Sequence, residues 1–117
     1  MEFQELRTFI KKQSNRLKHY YADLDHHSLI LAGAVKLSEE LGELCQEILA
    51  YQSIQRKEKL SSDNHDKLAQ EFADAIITPL ILAEWMGIDI EKALEEKIEI
   101  IKQRYIPCKK DKTERSC

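Results

Sequence analysis

Only five of the 117 residues are glycine or proline, about 4% where roughly 12% is usual. Glycine supplies positive φ and proline presets the first turn angle, so a chain short of both has little with which to build tight turns. A fold of many short strands needs such a turn roughly every ten residues. The chain is therefore steered toward a few long helices, and the apolar pattern agrees. Phe3, Leu6, Phe9, Ile10, Leu17, Tyr20 and Tyr21 recur at helical spacing and predict a first helix over 3–20. Residues 23–28 form a polar break, and Ser28 is the expected N-cap of a second helix that ends near 52. Ile30, Ala34, Leu37, Leu41, Leu44 and Ile48 share a stripe on that helix. Residues 53–64 read as a polar loop, and a third helix over 65–86 is apolar nearly all round from 72 onward. Gly87 is placed to end it in a left-handed conformation. Asp89 caps a fourth helix to about 105, with Leu94, Ile98, Ile101 and Tyr105 on its inner face. The expectation is an all-α, four-helix bundle-like domain over 1–106, followed by a charged, disordered tail over 107–117.

Charge narrows the partners. The formal net charge is −3, and the last eleven residues hold four bases and two acids, so residues 1–106 carry −5. Such a surface repels phosphate backbones and anionic lipid, so neither nucleic acid nor a membrane is an expected partner. The longest near-apolar run, 75–83, is about half of what a bilayer span requires. Cys45, Cys108 and Cys117 are an odd, scattered set, and no secretory pattern opens the chain, which makes a reduced cytoplasm the expected compartment. An apolar third helix and apolar edges on the first two exceed what four helices can cover, so burial of that surplus between copies of the chain is expected.

The acids are placed where solvation alone does not explain them. Glu40 and Glu43 are spaced i, i+3, about 60° apart around the second helix and bordering its apolar stripe. Glu71 and Asp74 repeat that spacing on the third helix, where they interrupt an apolar face. A Glu-Glu-x-x-Glu string taken by itself is also what a solvated charged face looks like. Two pairs on consecutive helices repel one another unless protons or a divalent cation neutralise them. All four are hard oxygen donors without His or Cys, which favours Mg²⁺ or Mn²⁺ over Zn²⁺. A di-iron bundle calls for Glu-x-x-His pairs, and the positions three after Glu43 and Glu71 are Gln46 and Asp74. His26 and His27, beside Asp23 and Asp25, read as a solvated loop, a substrate contact or a second metal site; Trp85 and Tyr51 are aromatic surfaces that a nucleobase can use, with the core or a subunit interface the expected place of Trp85.

Lys36-Leu-Ser-Glu-Glu-Leu-Gly-Glu-Leu44, then Glu71-Phe-Ala-Asp74, Met86-Gly-Ile-Asp-Ile90, and the stretch from Lys97 to Arg104-Tyr105 resemble the MazG-like all-α nucleoside triphosphate pyrophosphohydrolases. The resemblance covers roughly 29–107. It implies a helical bundle that assembles as a homodimer or homotetramer, binds Mg²⁺ and splits a nucleoside triphosphate between its α- and β-phosphates, giving the monophosphate and pyrophosphate in nucleotide-pool housekeeping. Carried over, Glu40, Glu43, Glu71 and Asp74 are metal ligands, Glu39 and Glu40 are catalytic positions with Glu39 orienting the attacking water or holding a further ion, and Lys97, Arg104 and Tyr105 contact substrate. A related pyrophosphohydrolase acting on phosphoribosyl-ATP, or a catalytically silent helical interaction module, stands as the alternative. Two residues depart from the family pattern: Ile101 stands where relatives commonly carry Asn, and Pro79 lies inside the third helix.

Overall fold

The structure, a computed structural model, describes residues 1–57 and 62–106; the tail over 107–117 lies outside the described residues. Four helices and no strand make up what is described: α1 (Phe3–Tyr20), α2 (His26–Lys57), α3 (Ser62–Trp85) and α4 (Ile90–Arg104). α3 is central. It packs along α2, crosses α1 and meets the start of α4.

Helix ends follow local chemistry. The Asp25 carboxylate accepts the Ser28 N–H at 2.7 Å, and the Asp25 carbonyl accepts the Leu29 N–H at 2.9 Å. Asp25, not Ser28, is therefore the cap, because its acceptor reaches an N–H that the first helical turn leaves unpaired. His26 and His27 fall in the exposed first turn of α2 and not in a loop. The hydrogen bonds from Ser28 hold the Asp25 carboxyl below the ordinary carboxylate range. A depressed carboxylate stabilises the fold above its unfolded pKa and loses that contribution as pH falls through the folded value. Asp25→Ala is thus expected to lower the urea midpoint at pH 7, with the gap to wild type closing on acidification below pH about 4.

α2 runs five residues past the expected end, to Lys57, and α3 starts three residues early, at Ser62. Residues 53–57 contain no glycine or proline, and Gln, Arg and Lys are good helix formers, so polarity by itself does not end a helix. α3 continues unbroken through Pro79. It ends as its sequence requires: Gly87 has φ 70°, and the Ile88 N–H bonds back to the Ala83 carbonyl at 2.9 Å. Asp89 then accepts the Lys92 N–H at 3.2 Å to open α4, and Arg7 reaches Glu91 at 3.1 Å to tie α1 to that first turn.

The core gathers where α1, α2 and α3 meet. Ile10, Leu29, Ile81 and Trp85 are buried there, with Leu6, Leu17, Ile77 and Leu82 packed against them. Trp85 is 8% exposed, and its indole N–H donates to the Ser14 carbonyl at 3.1 Å. A Cβ on Gly33 would sit 2.8 Å from Leu82 Cδ1 and 3.2 Å from Trp85 Cζ3, so glycine lets α2 approach α3 closely at this point.

Two expected faces come out differently. On α2 the buried positions are Leu29, Gly33, Glu40 and Leu44, while Ala34 and Leu41 are exposed. The buried line is turned away from the expected stripe and takes in Glu40 directly. On α4, Leu94, Ile98, Ile101 and Tyr105 are all exposed, and on α3 so are Phe72 and Ile76. α4 turns away after Gly87 and shares close contact chiefly with α3, so among the described residues its apolar side stays uncovered.

Candidate metal centre

α2 and α3 lie side by side, which brings the acids of one to those of the other. Glu40, Glu43 and Glu71 each present a carboxylate oxygen, and the three oxygens lie within 4.8 Å of one another. Glu40 is 9% exposed although it is charged. Oε2 of Glu71 is buried and has no hydrogen-bond partner among the described residues. Such an atom costs free energy unless a proton or cation satisfies it. The Glu71 carboxyl is accordingly pushed above the usual carboxylate range, first by burial and then by the charges of Glu43, Asp74, Glu40 and Glu47.

Asp74, expected as a fourth ligand, is exposed and stands at the rim: its charge acts on Glu71, but it is outside the three-oxygen cluster. Glu39 points toward solvent and pairs with Lys36 at 3.6 Å. Lys97, Arg104 and Tyr105 are exposed on or just beyond α4, and their side chains make no hydrogen bond or ion pair among the described residues. Glu99, one acid near Arg104 in sequence, pairs with Lys102 instead. Among the described residues no histidine joins the acids. Tyr51 stacks edge-on against His65 with ring centroids 6.3 Å apart, and Trp85 belongs to the core.

Two residues of this neighbourhood were not singled out from the sequence. Glu47 lies one turn beyond Glu43 on the same face, acts on Glu71 and is held by Lys67 at 3.2 Å; its i+4 spacing was the available signal. Lys36 lies one turn before Glu40. Its Nζ is 3.2 Å from Glu40 Oε1, and that contact keeps Lys36 protonated above the usual lysine range.

Chemically, three converging carboxylates with one orphaned, buried oxygen suit a hard divalent cation. Mg²⁺ and Mn²⁺ take oxygen ligands and leave positions for water or phosphate, whereas the absence of sulfur and imidazole does not suit Zn²⁺. No helix among the described residues is long and apolar enough to cross a membrane.

A family model, that of the MazG-like family, matches residues 31–117. The matched span is more than half of the chain and includes every acid of the cluster as well as Lys97, Arg104 and Tyr105. No curated protein and no solved structure gives a significant match.

Proposed function

The chain belongs to the MazG-like family, and from that premise we propose that it is a Mg²⁺-dependent nucleotide pyrophosphohydrolase converting a (d)NTP to the (d)NMP and pyrophosphate. The observation that carries the reading is the meeting of Glu40, Glu43 and Glu71 around a buried, unpartnered Glu71 oxygen. Lys36 offsets Glu40, but the buried Glu71 oxygen has no partner among the described residues, and a divalent cation shared with Glu40 and Glu43 would satisfy it. When bound, that cation supplies charge neutralisation at the phosphates and activation of a water.

The chain's own residues then have distinct tasks. Glu40, Glu43 and Glu71 hold the ion, with Asp74 adding negative charge at the rim. Glu39, at the solvent side of the same turn, accepts a hydrogen bond from the attacking water and orients it toward the α-phosphorus. The water oxygen bonds to that phosphorus and gives its proton to solvent by way of Glu39, while the bond from the phosphorus to the bridging oxygen breaks and the pyrophosphate leaves with that electron pair. Lys97, Arg104 and Tyr105 serve the phosphates only if α4 is brought over a site. The uncovered apolar side of α4 supports assembly as a homodimer or homotetramer in which a second copy does this. Ile101, an apolar side chain where a polar one is usual, supports a catalytically silent interaction module as the second reading.

Pyrophosphate release should be measured across NTPs, dNTPs and phosphoribosyl-ATP, with Mg²⁺ and with EDTA. Turnover of at least one nucleotide, lost in EDTA and restored by Mg²⁺ or Mn²⁺, is the expected result. Metal-independent turnover, or none with any of these compounds, overturns the reading.

A further inference from the structure

Basic side chains are the natural ligands of a polyphosphate, yet those carried over by resemblance, Lys97 and Arg104, stand on α4 and pair with no acid among the described residues. Lys36 differs. Its ammonium lies 3.2 Å from Glu40 and 3.6 Å from Glu39, and the same side chain lines a cleft of about 290 Å³. Leu17, Leu29 and Trp85 form the apolar wall of that cleft, with Gly33 beside them and Glu39 at its rim. Lys36 thus stands between an apolar cleft and the carboxylate cluster. Gly33 precedes Glu40 by seven residues, about 10 Å along the helix axis, a separation of the order of a nucleoside's own length.

We propose that Lys36 is the phosphate-positioning cation of this site: its ammonium neutralises Glu40 until a divalent cation binds the carboxylates, and then turns to the phosphate chain of a nucleotide whose nucleoside end lies in the cleft. The proposal rests on the pyrophosphohydrolase reading for its substrate, and on geometry for its residue. The exchange is inexpensive. The Lys36 side chain is 58% exposed, so it swings without disturbing packing, while Glu40 is only 11% exposed and the charge Lys36 leaves there is the one a divalent cation neutralises. Lys67, the other lysine paired with an acid of this neighbourhood, is held by Glu47 and does not line the cleft. It is the natural control.

The test is calorimetry on the full chain carrying Lys36→Met, Lys36→Arg or Lys67→Met. Mn²⁺ is titrated first, without nucleotide; a non-hydrolysable triphosphate analogue is then titrated at saturating Mn²⁺. Lys36→Met is expected to bind Mn²⁺ about two- to fivefold more tightly and the analogue about tenfold more weakly. Lys36→Arg should stay near wild type in both, and Lys67→Met should change neither by more than about twofold. The proposal is overturned if Lys36→Met binds Mn²⁺ no more tightly than wild type, if it binds the analogue equally well, or if Lys67→Met reproduces both shifts. A wild-type chain that binds Mn²⁺ but no nucleotide refutes the proposed function and, with it, the phosphate task of Lys36. Nucleotide binding that is intact in both wild type and Lys36→Met refutes only the present inference.

Discussion

Glu71→Gln is expected to reduce pyrophosphate release by on the order of 10²-fold or more while raising the melting temperature of the protein in EDTA. The two effects have one cause. Glu71 brings α3's carboxylate to the pair on α2, and its Oε2 is buried without a partner. The amide keeps the shape and removes the charge, so a ligand is lost and so is the repulsion with Glu43, Asp74, Glu40 and Glu47. The pH dependence follows from the direction of the shift. A carboxyl whose folded pKa is raised binds its proton more tightly in the folded chain, so it stabilises the fold at low pH and this contribution is lost as pH rises through the folded value. In EDTA the melting temperature of wild type should therefore rise as pH is lowered from 7 toward the ordinary carboxylate range, and the advantage of Glu71→Gln should shrink over the same interval. Mg²⁺ should raise the melting temperature of wild type at pH 7 by more than that of the variant. Equal thermal shifts with Mg²⁺, together with unchanged turnover, would show that Glu71 is no ligand.

What could be read in the sequence was what the helix repeat and the caps dictate locally. α1 occupies the expected residues, Gly87 adopts the left-handed conformation its position called for, and Asp89 caps α4. Faces were harder. A stripe of leucines and isoleucines on α2 points to Ala34 and Leu41 as inward, but the buried positions are Leu29, Gly33, Glu40 and Leu44, because Gly33 permits a close approach to Leu82 and Trp85 of α3 that no hydrophobicity scale rewards. Glu40, which borders the apolar stripe on the helical wheel, lies within the buried line. The three-carboxylate meeting was legible from two i, i+3 pairs on consecutive helices; the displacement of Asp74 to the rim was not, since it depends on how α3 is rotated against α2. The fourth helix shows a different limit. Its apolar repeat was read as an inner face, but periodicity states only that a face needs cover, not whether the same chain supplies it.

Trp85→Ala is expected to cost about 3–5 kcal/mol, a large share of the roughly 5–15 kcal/mol available to a domain of this kind. Trp85 is the one tryptophan in the chain, and α1, α2 and α3 all converge on it. Its ring packs with Ile10, Leu29 and Ile81, its indole N–H donates to the Ser14 carbonyl of α1, and its edge faces Gly33 of α2. Truncation leaves a cavity and removes the link to α1 together. Trp85→Phe keeps most of the apolar area and loses chiefly the hydrogen bond, so about 1 kcal/mol is expected. Urea unfolding followed by circular dichroism measures both without needing the tryptophan signal. Gly33→Ala supplies the internal check. Its Cβ meets Leu82 Cδ1 at 2.8 Å and Trp85 Cζ3 at 3.2 Å, an overpacking worth about 1–3 kcal/mol. In the Trp85→Ala background the ring side of that contact is gone, so the same methyl should cost less. A double-mutant cycle with a coupling of about 0.5 kcal/mol or more in that direction is expected. Additive losses would mean that α2 is not seated on the Trp85 ring and that Gly33 is set by something other than helix approach.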